Sequence, residues 1–317
     1  MKTFAFPRRL SVALLMMMGA AGPAALAAPA LGTKPVAAAV VDNPAQHPTF
    51  AVRVVGKGQP MLLIPGLTCP GAVWDETVAH YQKQYQCHII SLAGFGGVAP
   101  ATVTDPLLPA VRDQLLAYIK TQQLIRPVVV GHSLGGFLAL ALSVAQPTAI
   151  GPLVIVDSLP FLAAVQNPAV TVETVKPQVT ALRAEVRQGH LSRAAQRQMA
   201  AGMVTDTARI TQVARWGVAS DPATTAQAMY DLYTTDLRAD LSRIQQPVLV
   251  LGAWVAYAPY GSTKESTRAV FTQQYARLAG VRIEMSEAGK HFLMYDDPKW
   301  FLAQADAFLK QLALAKK

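Results

Sequence analysis

Val128-Val129-Val130-Gly131-His132-Ser133-Leu134-Gly135-Gly136 decides how this chain is read. Three consecutive β-branched residues predict a short strand covered on both faces, because nothing polar interrupts them. Ser133 then stands between glycines in the pattern G-x-S-x-G, and Leu134 to Ala145 has the composition of a helix. A serine on a sharp strand-to-helix turn is held exposed in a strained conformation, and small neighbours let the backbone pass closely. The helix start behind it aims backbone N–H groups at developing negative charge. The pattern predicts a nucleophile elbow; its bland alternative is a structural turn.

Strands and helices alternate on both sides of this segment. Phe50 to Val55 alternates, Gly56 to Pro60 is turn-forming, and Met61 to Ile64 is apolar, which together predict a hairpin. Trp74, Val78, Tyr81 and Tyr85 fall on one helical face, as do Leu108, Val111, Leu115 and Tyr118. His88 to Leu92, Leu153 to Val156, Pro247 to Leu251 and Val281 to Met285 read as strands. Ser262 and Glu265 have the spacing of a capping box before a helix that carries Phe271, Tyr275 and Leu278. Asp297-Pro298 opens the last helix, with proline at its first position.

Residues 161–243 break the alternation, being rich in Ala, Arg, Gln and Met without a strong strand signal. The expected class is therefore α/β: a mostly parallel sheet with helices on both faces. Its core would be formed by residues 49–160 and 244–317, with a helical cap inserted over 161–243.

A serine nucleophile needs a base. His291 follows the last strand and precedes the final helix, in Gly289-Lys290-His291-Phe292. In a doubly wound sheet that loop opens on the same edge as the elbow. His47, His80, His88 and His190 lie in the arm, on a helix, at a strand start and in the cap, and read as structural.

Composition bounds the remaining possibilities. With 317 residues, 52% hydrophobic and 15% charged, the chain has too much apolar surface to be disordered, and it lacks collagen or heptad periods. Lys2, Arg8 and Arg9 precede the apolar run Leu10 to Met18 and the small-residue site Ala25-Leu26-Ala27. That is the pattern of a signal peptide over residues 1–27, followed by an Ala/Pro-rich arm over 28–48. A periplasmic or secreted protein is expected. Removal of the leader would lower the formal charge from +9 to +6.

The remaining cations are scattered. Arg183, Arg187, Arg193 and Arg197 are interleaved with Glu185, which predicts a solvated helix face rather than a nucleic-acid partner. No apolar run after the leader approaches a membrane span, so no stable membrane insertion is expected. Cys69 lies just past the carboxyl end of one strand and Cys87 at the start of the next parallel strand, at the opposite edge of the sheet. Such a strand covers about 17 Å, while a disulfide tolerates Cα separations of about 4.4–6.8 Å. Two free thiols are expected. No H-E-x-x-H or similar cluster is present, and neither a metal nor another cofactor is expected.

Several motifs carry a resemblance. They are the elbow, Ile64-Pro65-Gly66-Leu67, Trp74, Ala93-Gly94-Phe95-Gly96-Gly97, His291-Phe292 and Asp297-Pro298. From about residue 50 to 315 the chain resembles the α/β-hydrolase fold superfamily, of its cap-bearing, esterase-like kind. The resemblance implies an oxyanion hole made by the backbone amides of Leu67 and Leu134. Pro65 departs from the usual histidine but leaves the Leu67 amide in place. The family's usual acid follows the strand Pro247 to Leu251, yet Gly252 to Tyr260 contains no carboxylate. Two candidates remain. Asp157 ends an earlier strand, where some hydrolases of this fold place their acid. Glu265 lies well downstream and is already claimed by the capping box, so Asp157 is preferred.

The implied reaction is acyl transfer on a small-molecule substrate, a small or medium carboxylic ester, with Ser133 as nucleophile, His291 as base and Asp157 as acid. The alternatives are an amidase or iminopeptidase-like peptidase, and a non-catalytic binding protein of the same fold. Phe161 and Leu162 at the start of the cap, with Trp254 and Tyr257 facing them, are candidate pocket residues. Cap-to-core packing would account for them equally well.

Overall fold

The computed structural model describes residues 39–40 and 47–314, apart from Val103 and His190. The leader expected over 1–27, all but four residues of the expected arm and His190 lie outside the described residues. Eight strands form one sheet: β1 (Ala39–Val40), β2 (Phe50–Val55), β3 (Gln59–Ile64), β4 (Tyr85–Leu92), β5 (Val128–His132), β6 (Leu153–Val156), β7 (Val248–Gly252) and β8 (Arg282–Met285). Their order is β1-β2-β4-β3-β5-β6-β7-β8. The pairs β1–β2 and β2–β4 are antiparallel, and all others are parallel.

The expected hairpin does not form. β2 pairs with β4, from Phe50↔Leu92 to Val55↔Cys87, and β4 separates it from β3. Met61 to Ile64 have no exposed surface, so β3 takes the interior place between β4 and β5. The link from β2 crosses the start of β4. A Cβ at Gly56 would stand 2.4 Å from the carbonyl oxygens of Gln82 and Tyr85, and its φ of 85° belongs to glycine. Tyr85, expected on the first helical face, instead opens β4.

The two faces of the sheet follow the period-two alternation of its strands. Leu62, Ile64, Val129, Ile155 and Val250 join one apolar cluster, with α2 (Leu107–Thr121) and α3 (Leu134–Ala145). Leu63, Val128, Val130, Val156 and Leu251 join the other. That cluster is completed by α1 (Asp75–Tyr81), which precedes β4 in the chain, and by the C-terminal helix.

Between β6 and β7 stand α4 (Val172–Arg187), α5 (Arg193–Met203), α6 (Thr207–Val218) and α7 (Pro222–Thr234). Each begins at a residue whose side chain accepts a backbone N–H: Thr171, Ser192, Asp206 and Asp221. α8 (Lys264–Gln274), the short α9 (Leu293–Asp296) and α10 (Pro298–Leu314) complete the α-helices of the described residues. No helix among the described residues is long and apolar enough to cross a membrane.

The strand order reverses at β3. The chain goes from β3 to β4 on one side, then returns to β5 on the other and continues outward to β8. Crevices outside the carboxyl ends of such a sheet are where ligands bind, and β3 and β5 flank this one. Cys69 and Cys87 are buried free thiols. Burial pushes their pKa values up to about 12 and about 11.

Candidate active site

Ser133 has φ 52° and ψ −119°, a left-handed conformation that side chains avoid unless their surroundings impose it. The surroundings are glycines in close approach. A Cβ at Gly131 would meet the Gly135 carbonyl oxygen at 2.2 Å, and one at Gly135 would meet that of Ile64 at 2.1 Å. A Cβ at Gly136 would stand 2.6 Å from that of Ser158. The G-x-S-x-G-G pattern thus records three places where only hydrogen fits. The turn is anchored by the Ser133 N–H, which donates to the Val156 carbonyl at 2.9 Å.

One strand over, the arrangement repeats. Asp157 follows β6 with φ 45°, and its N–H donates to the Leu251 carbonyl at 2.7 Å. The carboxylate is then presented at the sheet's carboxyl edge. Its Oδ1 accepts the Ala253 N–H at 2.9 Å, and its Oδ2 lies 2.6 Å from His291 Nδ1. The acid's side chain is 6% exposed and the imidazole 17%, so the pair is largely shielded from water, where its charge-assisted bond is stronger.

Glu265 is not part of this arrangement. It lies exposed on the first turn of α8, where its own backbone N–H and Thr263 hold its carboxyl below the usual range. The capping box is Thr263 with Ser266, one residue beyond the expected Ser262 and Glu265. Thr263 takes the extended cap conformation (φ −111°, ψ 168°), which starts the helix at Lys264.

The loop bearing His291 is held from both ends. Ser286 Oγ donates to Asp297 and accepts the Gly289 N–H. Asp296 accepts the N–H groups of Lys290, in the loop, and Thr205, between α5 and α6. The Phe292 N–H donates to the Met203 carbonyl at 3.2 Å, and Lys290 Nζ to the Ala201 carbonyl at 2.9 Å.

The loop after β3 closes the third side. A Cβ at Gly66 would lie 3.2 Å from that of Ser133 and 2.8 Å from His132 Nδ1, so this loop runs directly against the elbow. The turn is tight: Thr68 has φ 62°, and the Cys69 N–H donates to the Gly66 carbonyl at 3.1 Å. Leu67 is half-buried in that loop, and the buried Leu134 opens α3, where the first amides have no intrahelical partner.

The candidate pocket residues divide. Phe161 is completely buried, packed with Ala164, Val170, Val175, Val179 and Tyr233 beneath the Arg238 guanidinium, so it offers no surface to a ligand. This corrects the expectation for Phe161: its ring fills the cluster shared by α4 and α7. Leu162 keeps some exposure and packs against two clusters. Trp254 is half-buried and donates Nε1–H to the Ser286 carbonyl at 3.0 Å. Tyr257 is half-buried, and burial together with the Asp157 charge raises its hydroxyl's pKa.

His47, His80 and His88 are engaged elsewhere, with the Phe50 carbonyl, Asp306 and the Tyr118 hydroxyl. Two contributors had no legible signal: the Ala253 amide, since backbone groups carry no residue signature, and His132, hidden in the variable position of the elbow. Among the described residues, no group of three or more His, Cys, Asp or Glu is arranged to hold a metal.

Known proteins resemble this chain in sequence and fold. The chain is 27% identical over 272 residues to a pimeloyl-[acyl-carrier protein] methyl ester esterase of Vibrio atlanticus, covering 83% of this chain and 96% of that protein. In fold it is similar to a hydrolase from Pseudomonas aeruginosa, with a TM-score of 0.67 at 19% identity, covering 82% of this chain and 94% of that one. An esterase from Exiguobacterium antarcticum has the same TM-score at 17% identity, covering 82% and 95%. A family model spans residues 61–304, from the interior strand β3 through the elbow and the His291 loop into the last helix, and by that match the chain belongs to the alpha/beta hydrolase family.

Proposed function

We propose that this chain is a serine esterase that cleaves small or medium carboxylic esters through an acyl-enzyme on Ser133. The observation that carries the proposal is the Asp157–His291 pair, 2.6 Å apart, at the same sheet edge as a serine held at φ 52°. His291 takes the proton from the Ser133 hydroxyl as the oxygen attacks the ester carbonyl, and returns it to the departing alcohol. Asp157 holds the imidazole in the tautomer with the proton on Nδ1 and stabilises the imidazolium that forms. The amides of Leu67 and Leu134 receive the oxyanion, and loss of one such donor lowers turnover by about 10²–10³-fold. Water then cleaves the acyl-enzyme by the same steps.

The methyl ester specificity of the Vibrio atlanticus relative supports an ester over an amide substrate. In this proposal α4 to α7 form a cap that shapes the acyl site, with Leu162, Trp254 and Tyr257 at its margin. The leader pattern over residues 1–27 adds a periplasmic or secreted location. N-terminal sequencing of the protein recovered outside the cytoplasm is expected to begin at Ala28; an uncleaved Met1 would reject that part.

A fluorophosphonate probe is expected to label Ser133 in the intact protein, and Ser133→Ala to abolish both labelling and turnover. A folded wild-type protein that stays unlabelled would mean a binding protein of this fold. A panel of p-nitrophenyl esters of rising chain length, run beside amino-acid p-nitroanilides, fixes the reaction. Preferential cleavage of the anilides would overturn the ester reading in favour of a peptidase or amidase.

A further inference from the structure

The residue next to the nucleophile is a histidine that the mechanism above leaves without a task. Alternation along β5 sends Val128, Val130 and His132 to the same face of the sheet. There His132 is 1% exposed, with its ring centroid 6.5 Å from that of Trp74, the two rings perpendicular, and 4.7 Å from that of Phe292. A side chain of that size in an apolar cage would ordinarily be aliphatic, as its strand neighbours are. A buried imidazole needs a hydrogen-bonding reason to be there.

The reason lies in the loop bearing the base. His132 Nε2 stands 3.1 Å from the backbone carbonyl of His291, and the two rings lie 4.6 Å apart. A carbonyl only accepts, so the His132 proton is on Nε2 and Nδ1 is bare. Nδ1 has no polar partner and faces Gly66, where even a Cβ would come within 2.8 Å. An unpaired acceptor is the less costly of the two orphans, which agrees with this tautomer. Burial and the neighbouring His291 both hold the His132 pKa well below its usual value, so the ring stays neutral beside the imidazolium that forms in the reaction.

Around His291, the Lys290 N–H is tied to Asp296 at the end of α9, and the Phe292 N–H to the Met203 carbonyl at the end of α5. His132 holds the carbonyl of His291 itself from the sheet. It is also the residue covalently joined to Ser133, so a single hydrogen bond connects the nucleophile's own turn to the base's backbone.

We infer that His132 is a positioning residue, whose Nε2–H fixes the His291 peptide and thereby sets where the base stands relative to Ser133. The inference rests on the reading of Ser133 and His291 as nucleophile and base. Misplacing a reacting group by about 1 Å costs on the order of 100-fold in rate.

His132→Phe keeps an aromatic ring, somewhat larger than the imidazole, and removes the donor; His132→Gln sacrifices the ring and keeps an N–H at similar reach. With a p-nitrophenyl ester, His132→Phe is expected to lower kcat about 10- to 100-fold with KM nearly unchanged, and to slow fluorophosphonate labelling in proportion. His132→Gln is expected to recover kcat to within about fivefold of the wild type. The reverse order, Phe active and Gln inactive, would assign His132 to packing alone, and failure of Gln to rescue would likewise overturn the inference. Should both variants fail to fold, ¹⁵N NMR of the wild-type histidines decides: a protonated Nε2 on His132 is expected, and a protonated Nδ1 would refute it. An unlabelled wild type would instead break the serine-esterase reading, whatever the tautomer of His132.

Discussion

The strand-end loops that carry Ser133, Asp157 and His291 and the four helices between β6 and β7 are held by different means. The Ser133 and Asp157 loops rise from strands with almost no exposed surface, and both residues have positive φ. Each of those two is pinned by an N–H bond to the next strand: Ser133 to Val156 and Asp157 to Leu251. Glycines at 66, 131 and 135 admit backbone or ring atoms into the space of a methyl group. The helices, by contrast, start at caps written in their own sequence; α4 and α7 share a small cluster around Phe161 and Tyr233, while Ala200 of α5 and Val213 and Ala214 of α6 join the cluster on one face of the sheet. Non-local contacts dictate the first region to a fraction of an ångström, while local signals suffice for the second. Substitutions should therefore act sharply in the loops and mildly in the helices.

The sharpest break is expected from Asp157→Asn, which keeps the shape but removes the charge that orients His291. Turnover of a p-nitrophenyl ester should fall about 10⁴-fold. Next comes Gly135→Ala, whose methyl would be driven against the Ile64 carbonyl at 2.1 Å. A loss of about 3 kcal/mol in urea unfolding is expected, since the main chain on both sides must move.

A pH titration of stability probes the buried His88, which burial holds at about 4 against 6.5 for the free side chain. Between those values the unfolded chain takes up a proton that the native protein refuses. Its contribution is thus complete above pH 6.5 and is lost as pH falls toward 4, and His88→Gln should flatten that slope.

In the helical region, Asp221→Ala removes the acceptor of the Thr224 N–H and should cost about 1 kcal/mol by thermal melting. Glu265→Gln, on an exposed helix turn, should leave kcat within about twofold of the wild type. A large loss there would move the acid proposed at Asp157 to Glu265.

Much of this architecture is legible in the sequence. The strand Val128 to Val130, the elbow and α3 are local features, and their period and glycine spacing survive folding unchanged. The same holds for the proline at the start of α10 and for the helices of residues 172–234. Expectation and fold part where a partner far along the chain overrides a local signal. Phe50 to Val55 and Met61 to Ile64 look like a hairpin, but β3 is apolar on both faces and recruits β4 and β5. The capping box moves by one residue because Ser and Thr stand side by side and either hydroxyl is chemically able to cap. Phe161 reads as a pocket residue or as packing with equal right, and only its burial separates the two.

The sequence by itself determined which residue is presented at the elbow, since G-x-S-x-G after an apolar strand leaves the backbone few conformations. It also placed His291, the proposed base, in the loop before the last helix, through the alternation of strands and helices. The tertiary structure alone decided that Asp157 and not Glu265 meets His291, and that His132 holds the His291 carbonyl. Those are encounters between residues 134 and 159 positions apart. Hydrophobic period specifies the elements one by one, whereas distance between their ends is fixed only when the sheet's register closes.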